Sequence, residues 1–137
     1  MKKLILMLII LLLATSSFAQ TPIKNKANKN NINKEKVVEI FTLEKIRWKN
    51  SNRPIIIYIL DNKYVMKEFS RKLLNMSYSR YLDLIEKKVY SGQADKPQFV
   101  KNSIIVMEKV SNKVNAVGIL EEYILISNCG NIVEIKF

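Results

Sequence analysis

The chain has 137 residues, 48% hydrophobic and 26% charged, which excludes a disordered polymer and leaves room for little more than one ordinary domain. Its formal charge is +11, with no His and one Cys. Those counts exclude an internal disulfide, a His-based catalytic centre and a paired-Cys metal site.

Lys2 and Lys3 precede an unbroken apolar run, Leu4 to Leu13, which is too short to span a bilayer comfortably. Ser17-Phe18-Ala19 then places small residues where a signal peptidase reads them. Residues 1–19 are therefore expected to be a cleaved signal peptide, cut after Ala19, with the protein periplasmic or secreted and no transmembrane segment left after cleavage. Removing 19 of 137 residues leaves about 118, with 21 basic and 12 acidic side chains, or +9. A basic surface suits nucleic acid, anionic envelope polymers or acidic small ligands. Abundant Lys, Asn and Ile are also what an AT-rich genome produces. No compact Arg-plus-aromatic motif of a nucleic-acid-binding module is present, so nucleic acid is not the expected partner.

Residues 20–32 are Lys- and Asn-rich and read as a flexible arm, leaving 33–137 as a single domain. Asn33 is placed to cap a short helix carrying Val37, Val38, Ile40 and Phe41. Ile46 and Trp48 follow in a compact turn, and Asn50-Ser51-Asn52-Arg53 is rich in breakers. Pro54 suits the start of a strand, since it has no N–H for the middle of a ladder. The run Ile55 to Leu60 is almost wholly β-branched or aromatic, the pattern of a strand covered on both faces.

Asp61 and Asn62 are helix-capping residue types, and Val65, Met66, Phe69, Leu73 and Leu74 continue at helical spacing from about Lys63. Lys67, Arg71 and Lys72 fall off that stripe, as a solvated face would. Ser77 can cap a third helix with Tyr81, Leu82, Ile85 and Val89 inward, stopped near Gly92. Residues 94–99 read as a loop. Asn102 or Ser103 can cap a fourth helix with Ile104, Ile105, Met107, Val110 and Val114 inward. Ala116 to Leu120 reads as a strand interrupted by Gly118, and Tyr123 to Ile126 with Ile132 to Phe137 as a closing hairpin. Helices alternating with few strands point to an α/β fold, a small mixed sheet with about four helices.

Several landmarks occur in one order: Ile40-Phe41, Ile46-Arg47-Trp48, Pro54-Ile55-Ile56, Phe69, Tyr90-Ser91-Gly92 and Asn115-Ala116-Val117-Gly118. This set resembles the phosphate-binding proteins of phosphate ABC transporters, and more closely the short single-lobe exported proteins of that periplasmic-binding-protein-like (PBP-like) superfamily. The resemblance covers roughly residues 33–120. It implies a single PBP-like lobe and a non-enzymatic protein that binds a small oxyanion such as phosphate, linked to its transport or sensing. The ligand would lie at the strand-to-helix turn Asp61, Asn62, Lys63 and Tyr64, where backbone N–H groups converge. Phe41, Trp48 and Phe69 also read simply as core aromatics, and Gly118 as a close backbone approach.

The chain departs from the family pattern at that turn. Ser-Gly-Thr is missing, no Arg ends the strand, Asp61 would repel an anion, and Tyr64 is bulky. Thr42 stands where a Gly is expected and Leu120 where a Tyr is expected. The length is too short for a second lobe to close over a ligand. An envelope interaction module that has lost its ligand is therefore the alternative, with an envelope protein as partner.

No cofactor, metal ligand set or catalytic group is evident. Ser91 lacks the flanking glycine of a nucleophile elbow, and Glu121 and Glu122 would point to opposite faces of a strand. Cys129 is either a free thiol or an intermolecular bridge, and a homodimer could form through it or through the terminal strand.

Overall fold

The computed structural model describes residues 2–3, 20–121 and 130–136. The proposed cut after Ala19, Glu122, the strand Tyr123 to Ile126 and Cys129 lie outside the described residues.

Five described strands form one mixed sheet: β1 (Gln20–Asn25), β2 (Ile56–Leu60), β3 (Gln98–Val100), β4 (Ala116–Glu121) and β5 (Ile132–Glu134). Their spatial order is β3-β2-β4-β1-β5. β2 is parallel to β3 and β4, while β1 is antiparallel to β4 and β5. Four described helices are α1 (Lys34–Phe41), α2 (Lys63–Lys72), α3 (Tyr78–Tyr90) and α4 (Ser103–Ser111). The α/β class expected from the helix-and-strand alternation is the class observed.

The two-residue period of β2 divides the core. Ile57 and Ile59 pack with Val37, Phe41, Met66, Phe69 and Tyr81 on one side of the sheet. Tyr58 and Leu60 pack with Val106, Met107 and Val110 on the other. Helices α1 to α3 therefore cover one face and α4 the other, which is why β2 shows no polar alternation. Phe41 and Phe69 meet edge to face, with ring centroids 5.3 Å apart. The indole N–H of Trp48 donates to the Asn115 carbonyl at 3.0 Å, and the Tyr81 hydroxyl to the Phe41 carbonyl at 2.8 Å. The aromatic residues Phe41, Trp48 and Phe69 are all buried in the core.

Gly118 lies where α4 crosses β4. A Cβ there would fall 2.5 Å from Val106 Cγ1 and 3.1 Å from Val110 Cγ2, so only glycine lets the helix approach so closely. Gly92, with φ of +74°, ends α3 in the left-handed conformation.

Several expectations are corrected. Gln20 to Asn25 is not part of a flexible arm. It is β1, laid between β4 and β5, with Ile23 fully buried. Lys and Asn content concealed it, because the Asn side chains are structural: Asn25 Nδ2 donates to the carbonyls of Val110 and Ser111 at 2.9 and 3.0 Å, capping the end of α4. Gln98 and Phe99, at the end of the expected loop 94–99, instead join Val100 in the short strand β3 through pairing with β2. On α4 the inward residues are Val106, Met107 and Val110. Ile104 is exposed, and Val114 lies beyond the helix end and is also exposed.

Candidate functional site: the carboxyl edge of the sheet

β2, β3 and β4 run parallel, so their carboxyl ends share one edge, and α2 and α4 both begin there. The Asp61 N–H donates to the Val100 carbonyl at 2.7 Å, tying the end of β2 to β3. The Asn62 N–H turns back to the Leu60 carbonyl at 2.8 Å.

An anion at the start of a helix needs its unpaired amides. Here several of those amides are occupied. Asn62 Oδ1 accepts the N–H groups of Tyr64 and Val65 at 3.1 and 3.2 Å. Asn102 Oδ1 accepts from Ile105 N at 3.0 Å, and the buried Ser103 hydroxyl accepts the Glu121 N–H at 3.2 Å. Each helix start is partly closed by its own Asn cap, which takes two amides at α2 and one at α4.

Beside the turn an open cleft of about 1090 Å³ runs between α2 and α3. Lys63, Lys67 and Arg71, four residues apart on α2, line it. Asp61, Glu68 and Asp83 line it as well, so cations and carboxylates are equal in number. Glu68 accepts from Arg71 Nη2 at 3.0 Å and lies 3.3 Å from Lys72 Nζ. The hydrogen bond from Arg71, then that from Lys72, holds its carboxyl below the ordinary range. Burial, reinforced by the Asp61 charge, raises the Tyr78 phenol. The Ser77 hydroxyl accepts the Arg80 N–H at 3.1 Å and serves as the α3 cap.

The four residues expected at the site are thus divided. Asp61 and Lys63 line the cleft. Asn62 is the α2 cap. Tyr64 is 67% exposed and is not part of the cleft wall. Lys67 and Arg71 were read only as a solvated face. Their spacing of four from Lys63 was the available signal, but the partner wall from α3 could not be read from α2 alone. Among the described residues no group of three His, Cys, Asp or Glu could hold a metal ion. No described helix is long and apolar enough to cross a membrane.

No family model matches the chain, and neither does any curated protein. Solved structures do match its fold. One, from Clostridium perfringens, is assigned as a phosphate ABC transporter substrate-binding protein and holds bound phosphate. It superposes with a TM-score of 0.62 at 13% identity over 87% of this chain and 44% of its own. This chain has the PBP-like fold. An ABC-type phosphate transport receptor from Vibrio cholerae gives a TM-score of 0.60 at 14% identity, over 88% of this chain and 46% of the receptor. A protein from Planctomyces limnophilus described as a possible phosphate binding protein gives 0.62 at 13% identity, over 87% and 41%. The PBP-like chain therefore spans less than half the length of each of these binding proteins.

Proposed function

We propose that the chain is an exported, non-enzymatic PBP-like module that binds a small oxyanion such as phosphate weakly, in the cleft between α2 and α3. The observation that carries this reading is the stripe Lys63, Lys67 and Arg71 along one wall of that cleft, at the carboxyl end of β2. Weak binding follows from three features: the Tyr64 and Val65 amides at the α2 start are capped, three carboxylates line the same cleft, and an open cleft leaves the anion hydrated, where Coulomb attraction is small. Structural neighbours that are phosphate-binding proteins support the ligand class. Export rests on the signal-like residues 1–19.

Isothermal calorimetry of the purified protein with phosphate and sulfate at low salt tests the proposal. The expected result is a millimolar affinity that Lys63→Ala abolishes and that 0.5 M salt weakens (about 4 Å of screening length remains there). No heat at millimolar anion would sink it.

A second reading, an envelope interaction module on a ligand-free lobe, is favoured by one observation. Tyr64 and Ile104, the second residues of α2 and α4, are exposed by 67% and 65% at the edge where those helices begin. Recovery of an envelope protein by the native chain, lost with Tyr64→Ser and Ile104→Ser, is the result expected on this reading. Unchanged recovery with both substitutions rejects it.

A further inference from the structure

At the opposite edge of the sheet, where β2 and β4 begin, a hollow of about 320 Å³ lies between three loops. The loop after β1 gives Asn28 and Lys29, the loop before β2 gives Trp48 and Arg53, and Val114 precedes β4. The hollow has the size of a small-ligand site at the low end of the usual range.

Its chemistry is one-sided. Lys29 and Arg53 line it, and no carboxylate does among the described lining residues. Lys24, whose Nζ donates to the Asn30 carbonyl at 2.8 Å, lies close enough to Lys29 to feel its charge. Burial, then that neighbouring charge, lowers the Lys24 pKa, so cationic potential accumulates on this loop.

The second observation is Asn28, which is 96% buried at 4% exposure. Its Oδ1 accepts from both Asn30 N (3.0 Å) and Asn30 Nδ2 (2.8 Å), which fixes the orientation of the amide. Asn28 Nδ2 is then a buried donor with no protein acceptor. Such a group is costly to leave unmade. Of the remaining lining residues Trp48, Ala27 and the half-exposed Val114 are apolar, and Asn30, Asn50, Ser51 and Asn115 are polar but uncharged. The apolar part favours a ligand that brings an apolar body along with its acceptor.

We propose that this hollow binds a small monocarboxylate with an apolar body, its carboxylate taken by Asn28 Nδ2 with Arg53 and Lys29, its body against Trp48 and Val114. The site is separate from the α2–α3 cleft and does not depend on it.

Trp48 is the single Trp of the chain, so its indole N–H gives one NMR signal in the wall of the site. Isobutyrate is the probe, with acetate and inorganic phosphate as comparisons. Isobutyrate should move that signal saturably at millimolar concentration, acetate more weakly and phosphate least. Asn28→Asp keeps the oxygen that Asn30 needs and replaces the donor with a negative oxygen. It should weaken isobutyrate at least tenfold. Arg53→Ala, at an exposed position, should weaken it severalfold and keeps the test valid if Asn28→Asp unfolds. Lys63→Ala, which removes phosphate binding in the other cleft, should leave isobutyrate unchanged. A shift that never saturates, equal binding of phosphate, or isobutyrate affinity unaltered in both Asn28→Asp and Arg53→Ala would overturn the proposal.

Discussion

β2 and β1 lie two positions apart in one sheet and reach burial by different routes. β2 is Ile-Ile-Tyr-Ile-Leu, apolar throughout, and both of its faces are covered. β1 is Gln-Thr-Pro-Ile-Lys-Asn, with one large aliphatic side chain. Its burial is held by backbone pairing to two strands and by Asn25, whose side chain closes the end of α4. The same residue type does the opposite service for ligand binding at the carboxyl edge. There Asn62 and Asn102 cap the starts of α2 and α4 and occupy the Tyr64, Val65 and Ile105 amides, which an anion could otherwise use. Asparagine here replaces missing helix partners, and that use leaves no hydrophobic pattern in the sequence.

The comparison can be broken most forcefully in the core. Ile23→Ala in β1 and Ile59→Ala in β2 should each cost about 2–5 kcal/mol in chemical denaturation, because both side chains are fully buried. A cost near zero for Ile23→Ala would return residues 20–25 to a peripheral arm. Next, Asn25→Ala leaves the Val110 and Ser111 carbonyls without their donor and should cost about 1–3 kcal/mol by the same measurement.

Tyr81→Phe removes one hydrogen bond to Phe41 and should cost about 1 kcal/mol. It also carries a pH signature. Burial raises the Tyr81 phenol above its ordinary 10.0, so the folded state holds the proton that the unfolded state gives up. Stability is intact below about pH 10 and falls as pH rises beyond it. Tyr81→Phe should flatten that alkaline limb in a pH series of melts. The smallest expected change is Asn62→Gly, a few tenths of a kcal/mol, since glycine is itself tolerated as a cap. Its value lies in ligand binding: with the Tyr64 and Val65 amides released, phosphate should bind more tightly than to the native chain, as read by calorimetry.

Much of the scaffold was legible in the sequence. The apolar run of β2, the caps Asn33, Ser77 and Asn102, and the stop at Gly92 follow local rules that the structure obeys. Gly118 was legible as a close approach, although the partners Val106 and Val110 were not. β1 and β3 were hidden because their strand state comes from pairing rather than from pattern. Ile104 and Val114 were misplaced because an apolar side chain near a helix end carries no mark of which way the chain turns. At the turn after β2, Asp61 to Tyr64 could be located in the fold, but helical periodicity cannot say whether Asn62 would cap the amides or leave them open. The cleft itself depends on α3 standing opposite Lys63, Lys67 and Arg71, a relation between helices.

The central functional claim is that the α2 start is closed by Asn62 while the neighbouring basic stripe still attracts an oxyanion. A phosphate titration followed by backbone amide NMR at low salt tests it most directly. The expected result is a saturable, millimolar response strongest along Lys63, Lys67 and Arg71, with the Tyr64 and Val65 amides scarcely moved. Micromolar affinity with the largest shifts at the Tyr64 and Val65 amides would mean that phosphate displaces the cap, and no response anywhere on α2 would mean that this lobe does not bind it; either contradicts the account.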